Sequence, residues 1–187
     1  MSTTRDVAVL VGSLRKESLT RKVAHALMTL APLDLKLEIV EIGNLPLYNP
    51  DLDTEEAPAA WLSFRDRMRT AQAVLFTTPE YNRSVPGALK NAIDVGSRPY
   101  GKSVFDRKPA AIVSVSPGAL SAFGANHHLR QSLVFLNMPT LQQPEAYLGG
   151  AAKLFDEKGT LTNPSTRDFL SKYMQAFAAW IERTAAQ

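Results

Sequence analysis

The sequence contains no cysteine among its 187 residues. Without thiols the chain cannot form a disulfide framework, an iron–sulfur cluster or a zinc site with thiolate ligands, and it has no cysteine nucleophile. Long hydrophobic runs are also missing, because no apolar stretch reaches the roughly 18 residues that a membrane-spanning helix needs. The N-terminal residues lead directly into a strand-like segment and lack the apolar region of a cleavable signal peptide. We therefore expect a cytoplasmic protein that does not insert into membranes.

A strong charge of one sign is absent as well, since 21 Lys and Arg residues face 18 Asp and Glu residues. No nucleic-acid-binding motif accompanies this small excess, so we expect no nucleic-acid partner. Arg65, Arg67 and Arg69 alternate with other residues on a predicted helix and are expected to form an ordinary solvated face. The hydrophobic fraction of 45% is sufficient for a full core. The length predicts one domain over residues 1–187.

Strand-like and helix-like segments alternate along the chain. Strands are predicted at residues 7–11, 35–42, 73–78, 110–115 and 140–147. Helices are predicted after Ser18, around Trp61, from Pro86, around Leu129 and from Asn163. This alternation is typical of an α/β fold with a doubly wound parallel sheet and helices on both faces. The connection at residues 43–58 is longer than usual, and loops of that length are often functional or mobile.

In such sheets ligands bind beyond the carboxyl ends of the strands, which here are followed by three polar loops. The first loop, residues 12–20, matches neither the common dinucleotide fingerprint nor the Walker A pattern. It nevertheless joins a buried strand to a helix start, where backbone N–H groups and the helix dipole attract anions. Its hydroxyl and guanidinium groups could bind a terminal phosphate, and they belong to Ser13, Arg15, Ser18 and Thr20. The plainer alternative is that Ser18 or Thr20 simply caps the helix.

The second loop follows the third predicted strand and places Glu80, Tyr81, Asn82 and Arg83 together. A planar ligand with polar edges could use the Asn amide and the loop backbone, with the Tyr ring packing nearby. The plainer alternative is a turn bounded by Pro79 and Pro86 with surface polar residues. The third loop begins with Ser116, Pro117 and Gly118.

The loop GSLRKES at residues 12–18 and the stretch PEYNRSVPGALKNAID at residues 79–94 resemble the NADPH-dependent FMN reductase family. This family comprises flavodoxin-like quinone, azo-dye and chromate reductases. The resemblance implies a five-stranded parallel sheet of order 2-1-3-4-5. It also implies ping-pong transfer of hydride from NADPH or NADH, through bound FMN, to quinones, azo compounds, flavins or oxyanions such as chromate. Arg15 and Lys16 favour NADPH, through a contact with its 2′-phosphate.

The resemblance also assigns the cofactor-binding residues. Ser13, Arg15, Ser18 and Thr20 would hold the FMN phosphate, with Leu19 supplying backbone. Pro79, Glu80, Tyr81, Asn82 and Arg83 would border the isoalloxazine and ribityl groups, and Ser116, Pro117 and Gly118 would close the far side of the ring. No catalytic side chain is expected, because the flavin itself carries the hydride chemistry. No metal site is expected either, since the adjacent His127 and His128 would diverge by about 100° on a helix.

Two positions depart from the family pattern. Relatives often carry a glycine pair where this chain has Ser121 and Ala122, which affects how closely the backbone approaches the ring. Relatives also tend to have an aromatic residue in place of Val95, a change expected to affect helix packing or a subunit contact. By resemblance we expect a homodimer or homotetramer, with residues 43–58 and 95–105 as candidates to cover a neighbouring site.

The sequence leaves a second class of function open. The chain could be a flavin-binding electron carrier or redox-sensing module without an NAD(P)H site of its own. Carriers of the flavodoxin type tend to be acidic, whereas this chain has a net charge of +3. A phosphosugar or nucleotide hydrolase on the same fold would need a carboxylate pair or a suitably placed histidine, which the loops lack.

Overall fold

A computed structural model describes residues 4–185 and contains one parallel five-stranded sheet. The strands are β1 (Arg5–Val11), β2 (Leu35–Ile39), β3 (Ala73–Thr78), β4 (Ala110–Val115) and β5 (Ala146–Leu148). Their order is β2-β1-β3-β4-β5, and every pairing is parallel. The predicted flavodoxin-like topology is therefore confirmed. All residues of β3 and β4 are buried, as expected for central strands covered on both faces.

Helices cover both faces of the sheet. They are α1 (Leu19–Leu30), α2 (Ala59–Thr70), α3 (Gly87–Gly96), α4 (Phe123–Phe135) and α5 (Pro164–Ala185), with short 3-10 helices at Pro50–Leu52 and Ala151–Leu154. Side chains alternate between the two faces along each strand. Val7 and Val9 of β1 therefore pack with α1 and α5, whereas Ala8 and Leu10 pack with the other three helices. None of these helices is long and apolar enough to cross a membrane.

The two edge strands are shorter than predicted. Beyond β2 the Val40 N–H still donates to Val9 O, and the chain then leaves the sheet so that Ile42 and Leu45 enter the core. On the other edge, Thr140 makes an isolated bridge with Ala110, but regular pairing resumes only at Ala146. Pro144 lies in the gap and has no N–H to donate to the sheet. Alternating apolar residues alone did not reveal either interruption.

Arg65 contradicts the predicted solvated face of α2. Its side chain is only 3% exposed and forms two hydrogen bonds of 2.8 Å with the carboxylate of Asp53, which is 7% exposed. Its Nε also donates to Val95 O at 2.9 Å, and its guanidinium lies 5.7 Å from the centre of the Trp61 ring. The prediction was wrong because the buried partner lies twelve positions earlier, on a segment that folds back over the helix.

The connection at residues 43–58 is anchored rather than free. The side-chain amide of Asn91 on α3 donates to Leu45 O and Pro46 O, and its oxygen accepts the Tyr48 N–H. The indole of Trp61 donates to the same Pro46 carbonyl. Together with the Asp53 ion pair, these contacts hold the segment against α2 and α3.

Candidate functional site

The carboxyl ends of β1, β3 and β4 are neighbours in the sheet, so the loops that follow them meet at one edge. Gly12 sets the distance between the first two loops. A Cβ atom at this position would lie 3.1 Å from Pro79 Cδ and 3.3 Å from Thr78 Oγ1. Such contacts are tighter than most Cβ contacts in proteins, which explains why a residue without a side chain follows β1.

The first loop leads into α1 through Ser18, the N-cap residue. Its hydroxyl accepts the Arg21 N–H at 3.1 Å, so the plain capping role considered for Ser18 is present. Ser13 and Thr20 are also largely buried, and within residues 4–185 neither hydroxyl takes part in a hydrogen bond with a protein group. These two hydroxyls are therefore available to a ligand, whereas the Ser18 hydroxyl already serves the helix.

The backbone of the same loop presents unused donors. In the described part of the chain, the N–H groups of residues 13–20 donate no backbone hydrogen bond other than that of the short turn at residues 16–17. These groups precede and begin α1, where the helix dipole adds partial positive charge. Free N–H groups, two free hydroxyls and a helix start form a donor set that fits a phosphate group.

Four cationic side chains lie in or just after this loop, and two of them are paired with carboxylates. Arg21 forms a bidentate pair with Glu41 at 2.8 Å, and these hydrogen bonds lower the pKa of the Glu41 carboxyl. Lys22 lies 3.5 Å from Glu17. Neither Arg15 nor Lys16 has an ion-pair partner among residues 4–185. The positive charge available to an anion therefore comes from the two residues inside the loop.

The second loop is a tight turn. Tyr81 and Ser84 exchange backbone hydrogen bonds of 3.1 and 2.9 Å, and the two residues between them have positive φ angles of 50° and 64°. Two consecutive left-handed residues are characteristic of a type I′ turn, in which Asn is favoured at the first position. Asn82 fits this preference, but Arg83 adopts the left-handed conformation at a cost. All three residues from Tyr81 to Arg83 are exposed.

Glu80 points from this turn toward α4. Its side chain is 13% exposed, and Oε2 accepts the Ala125 N–H at 3.0 Å while Oε1 lies 3.4 Å from an Arg83 nitrogen. Its carboxylate thus contacts the first turn of a helix that follows the third loop. The side chain joins two loops of the candidate site.

The third loop is held by the last residue of β5 and by the chain that follows it. The Ser116 N–H donates to Leu148 O, and Ser116 O in turn accepts the Ala151 N–H at 3.1 Å. Within the loop, Ser116 Oγ accepts the Gly118 N–H at 3.0 Å, and Pro117 and Gly118 are exposed. Two of the three residues predicted to close this side, Pro117 and Gly118, are therefore accessible, on a backbone fixed by hydrogen bonds to the end of β5 and the residues after it.

Ser121 and Ala122, where the resemblance led us to expect a glycine pair, adopt φ angles of 54° and 57°. In this left-handed region each L-residue with a side chain costs roughly 1–2 kcal/mol relative to ordinary backbone conformations. The loop thus keeps the conformation that glycine would adopt readily. Strain of this kind persists only where the surrounding structure determines the backbone.

Two glycines were not predicted to be part of the site. A Cβ atom on Gly124 would lie 2.8 Å from Arg83 O, and one on Gly149 would lie 2.5 Å from Ser121 Oγ and 3.1 Å from Gly118 O. Both positions therefore permit the loops to approach one another. The adjacent glycines at 149 and 150 were a visible signal, whereas the importance of Gly124 depends on a turn forty residues away.

The two adjacent histidines have separate partners. His127 Nε2 lies 3.0 Å from the Tyr147 hydroxyl, which donates to Glu145, and burial together with this carboxylate raises the pKa of Tyr147 to about 12. His128 Nδ1 lies 3.0 Å from Ser84 Oγ. Across residues 4–185, no group of three or more acidic or histidine side chains could hold a metal ion.

Comparison with known proteins gives one consistent result. A family model described as NADPH-dependent FMN reductase matches residues 5–153, a region that includes all five strands and the three loops. A quinone reductase from Pseudomonas putida is 63% identical over 186 residues, with 100% of each chain covered. A 2-hydroxy-1,4-benzoquinone reductase from a Burkholderia species is 42% identical over 175 residues, covering 94% of this chain and 95% of the relative.

A solved structure agrees with these relatives. FerB, a flavoenzyme NAD(P)H:(acceptor) oxidoreductase from Paracoccus denitrificans, superimposes with a TM-score of 0.90 at 42% sequence identity. The match covers 96% of this chain and 98% of that chain.

Proposed function

The chain belongs to the NADPH-dependent FMN reductase family, and on this basis we propose that it is a quinone reductase. As a member of that family it is an oxidoreductase that uses FMN and NAD(P)H. An electron carrier without its own NAD(P)H site, the alternative left open above, is not what these relatives are. The quinone acceptor is proposed from the printed activities of the Pseudomonas and Burkholderia relatives.

The observation that carries the proposed site is the set of unused donors in the first loop. The N–H groups of residues 13–20, including that of Leu19, and the hydroxyls of Ser13 and Thr20 would bind the FMN phosphate. Arg15 would add a charge-assisted hydrogen bond. Ser18 would contribute chiefly by fixing the start of α1, because its hydroxyl accepts the Arg21 N–H.

The other two loops would hold the ring. Pro79, Glu80, Tyr81, Asn82 and Arg83 would border one side, and Ser116, Pro117 and Gly118 the other. When bound, FMN supplies the hydride chemistry, so the protein needs no nucleophile of its own. The contribution of the chain is to fix the two loops, as the contacts of Gly12, Gly124 and Gly149 support.

The surroundings of these loops suit a flat apolar acceptor. Tyr81, Leu120 and Phe123 are exposed large hydrophobic residues on the second and third loops and at the start of α4. Exposed apolar groups beside a polar cleft are typical of ligand sites. A preference for NADPH is proposed from Lys16, which has no carboxylate partner in the described chain.

The purified protein tests this function directly. We expect it to bind FMN, to lose the flavin absorption on addition of NADPH, and to recover it on addition of a quinone. Double-reciprocal plots at several quinone concentrations should give the parallel lines of a ping-pong mechanism. A protein that neither retains nor rebinds FMN would contradict the proposal.

Replacing Arg15 tests the phosphate assignment. Arg15→Ala should weaken FMN binding by about 1–3 kcal/mol, because a hydrogen bond to a charged group is lost. Lys22→Ala removes a nearby cation that is paired with Glu17 and serves as the matched control. Fluorescence titration of FMN into the apoprotein measures both. Equal affinities for the two variants would remove Arg15 from the phosphate site.

Association with a second copy is also proposed. Tyr100, Val134 and Phe135 are exposed hydrophobic side chains, and Tyr100 and Phe135 line the same cavity of about 380 Å³. Tyr100 lies in the 95–105 stretch considered for a subunit contact. Light scattering should give the mass of a dimer or tetramer, and a monomeric mass at micromolar concentration would contradict this.

Two further expectations remain predictions. A cytoplasmic location can be tested by fractionating cells and locating the chain with an antibody. A single domain over residues 1–187 predicts one cooperative unfolding transition by calorimetry, and two separated transitions would contradict it.

A further inference from the structure

The start of α4 lacks a cap from its own segment. Ala122 occupies the N-cap position in a left-handed conformation and has no side-chain acceptor. Phe123 and Asn126 donate their N–H groups to Leu120 O and Ala122 O, which leaves the N–H groups of Gly124 and Ala125 without a backbone acceptor among the described residues. The Ala125 N–H donates to Glu80 Oε2 at 3.0 Å, an acceptor contributed by the second loop. A carboxylate at a helix N-terminus also interacts favourably with the helix dipole.

Gly124 shows how closely the two parts are joined. A Cβ atom at this position would lie 2.8 Å from Arg83 O and 3.0 Å from Glu80 Oε2. The first turn of α4 therefore packs against the backbone of the 81–84 turn. Glu80 is the charged group in this contact, and it is largely shielded from solvent.

The same helix continues the third loop. Ser121 and Ala122 immediately precede α4, and their left-handed conformations need support from the surrounding structure. The chain after β5 holds the beginning of that loop, at Ser116 and Gly118. At its end, Ser121 O accepts the Ser114 hydroxyl at 2.9 Å, and Glu80 holds the helix that follows, through Ala125.

We infer that Glu80 is a positioning residue, whose carboxylate holds α4 and thereby sets the separation of the 79–84 and 116–122 loops. This inference rests on the proposed FMN site, since those loops are the ones proposed to border the flavin ring. The carboxylate acts through the protein and not by contact with substrate. The phosphate end of the site, at α1, does not depend on it.

Three substitutions of Glu80 test whether its acceptor oxygen and its side-chain length are needed to hold α4. Glu80→Ala removes the acceptor, and we expect FMN affinity to fall roughly five- to tenfold, as for loss of a helix cap. Glu80→Gln keeps a side-chain oxygen for the Ala125 N–H and should restore most of that loss. Glu80→Asp is shorter by one methylene group and should resemble the alanine variant.

Two readouts go beyond activity. Hydrogen exchange in the apoprotein should show faster exchange of the Phe123, Gly124 and Ala125 amides in Glu80→Ala than in wild type. The visible circular dichroism of bound FMN should change in Glu80→Ala and return in Glu80→Gln, because it reports the surroundings of the ring. Gly124→Ala, which disturbs the same contact from the helix side, should give a similar spectral change.

Lys108→Met is the matched control. Lys108 Nζ donates to Arg69 O and Ala71 O at the end of α2. This contact lies at the amino ends of β3 and β4, whereas the candidate site lies at their carboxyl ends. Its loss should lower stability without changing FMN affinity or the dichroism of the bound flavin. This variant therefore shows what loss of a distant helix-end contact does by itself.

The outcomes are distinct. If wild type does not bind FMN, the proposed function fails. If wild type binds FMN but Glu80→Ala binds it with the same affinity and dichroism, the positioning role is wrong. If exchange at the start of α4 is unchanged in Glu80→Ala, the carboxylate does not hold the helix. If Glu80→Gln binds FMN as weakly as Glu80→Ala, then the hydrogen bond from the Ala125 N–H to the side-chain oxygen is not what supports FMN binding.

Discussion

The connection at residues 43–58 and the loop at residues 116–122 are stabilised in different ways. The first is sixteen residues long and is held by buried side chains, namely the Asp53–Arg65 pair and the Asn91 amide. The second is short and is held mainly by backbone hydrogen bonds, with two residues in strained conformations. A long connection can thus be well anchored, while a short loop at the candidate site retains strain.

The largest expected effect comes from the anchor of the long connection. Asp53→Ala would leave the Arg65 guanidinium buried without its carboxylate, which costs about 3–5 kcal/mol of unfolding free energy. Urea denaturation measures this loss. Asp51→Ala removes an exposed carboxylate two residues away and should leave stability nearly unchanged. A similar small effect for both variants would show that the buried pair does not anchor the segment.

Acid should act on the same ion pair. Hydrogen bonding to Arg65 lowers the pKa of Asp53 below its ordinary value, despite the opposing effect of burial. The folded state therefore holds this carboxyl deprotonated more strongly than the unfolded state does. Its stabilising contribution is present above the unfolded pKa of about 3.9 and is lost as pH falls through the lower folded pKa.

A substitution of Asp53 separates its contribution to the acid effect from that of the other carboxyl groups. Urea midpoints measured between about pH 6 and pH 2.5 should fall in wild type, and less steeply in Asp53→Asn, which has no carboxyl to protonate at this position. Parallel curves for the two proteins would mean that other carboxyls account for the whole dependence.

The smallest effect is expected in the strained loop, and it has the opposite sign. Ser121→Gly should stabilise the protein by about 0.5–1 kcal/mol, because glycine adopts the left-handed conformation without steric cost. Ser121→Ala loses the same hydrogen bond from Ser121 Oγ to Ala119 O as the glycine variant does but retains the steric cost, so it should not stabilise. Thermal unfolding of both variants tests this. Equal melting temperatures would exclude strain as the cause.

The sequence predicted the arrangement of the sheet and the three polar loops at the carboxyl ends of its strands well. The apolar runs of β1, β3 and β4 indicated buried parallel strands, and the polar loops after them do meet at one edge. This information is contained in short segments of the sequence, because a buried strand requires a run of apolar residues and a helix start favours a capping residue. Ser18 as a capping residue was also an explicit alternative, and the structure shows that contact.

Contacts between distant parts of the chain were not predictable in the same way. Arg65 had the pattern of a surface residue, and Glu80 gave no sign of its contact with Ala125. The early end of β2 likewise depends on the packing of Ile42 and Leu45 in the core, which draws the chain away from the sheet. Each outcome depends on which element packs beside the residue, and that is absent from its local sequence.

The sequence by itself therefore determined the fold class, the order of the elements and the three loops of the site, because hydrophobic period and turn residues are local properties. Only the tertiary structure decided which polar groups are already used and which remain free. It assigned Ser18, Arg21 and Glu80 to contacts within the protein, and among the described residues 4–185 it left the side chains of Ser13, Arg15 and Thr20 without such partners. Hydrogen bonds and ion pairs are made in space, between groups that the chain brings together only when it folds.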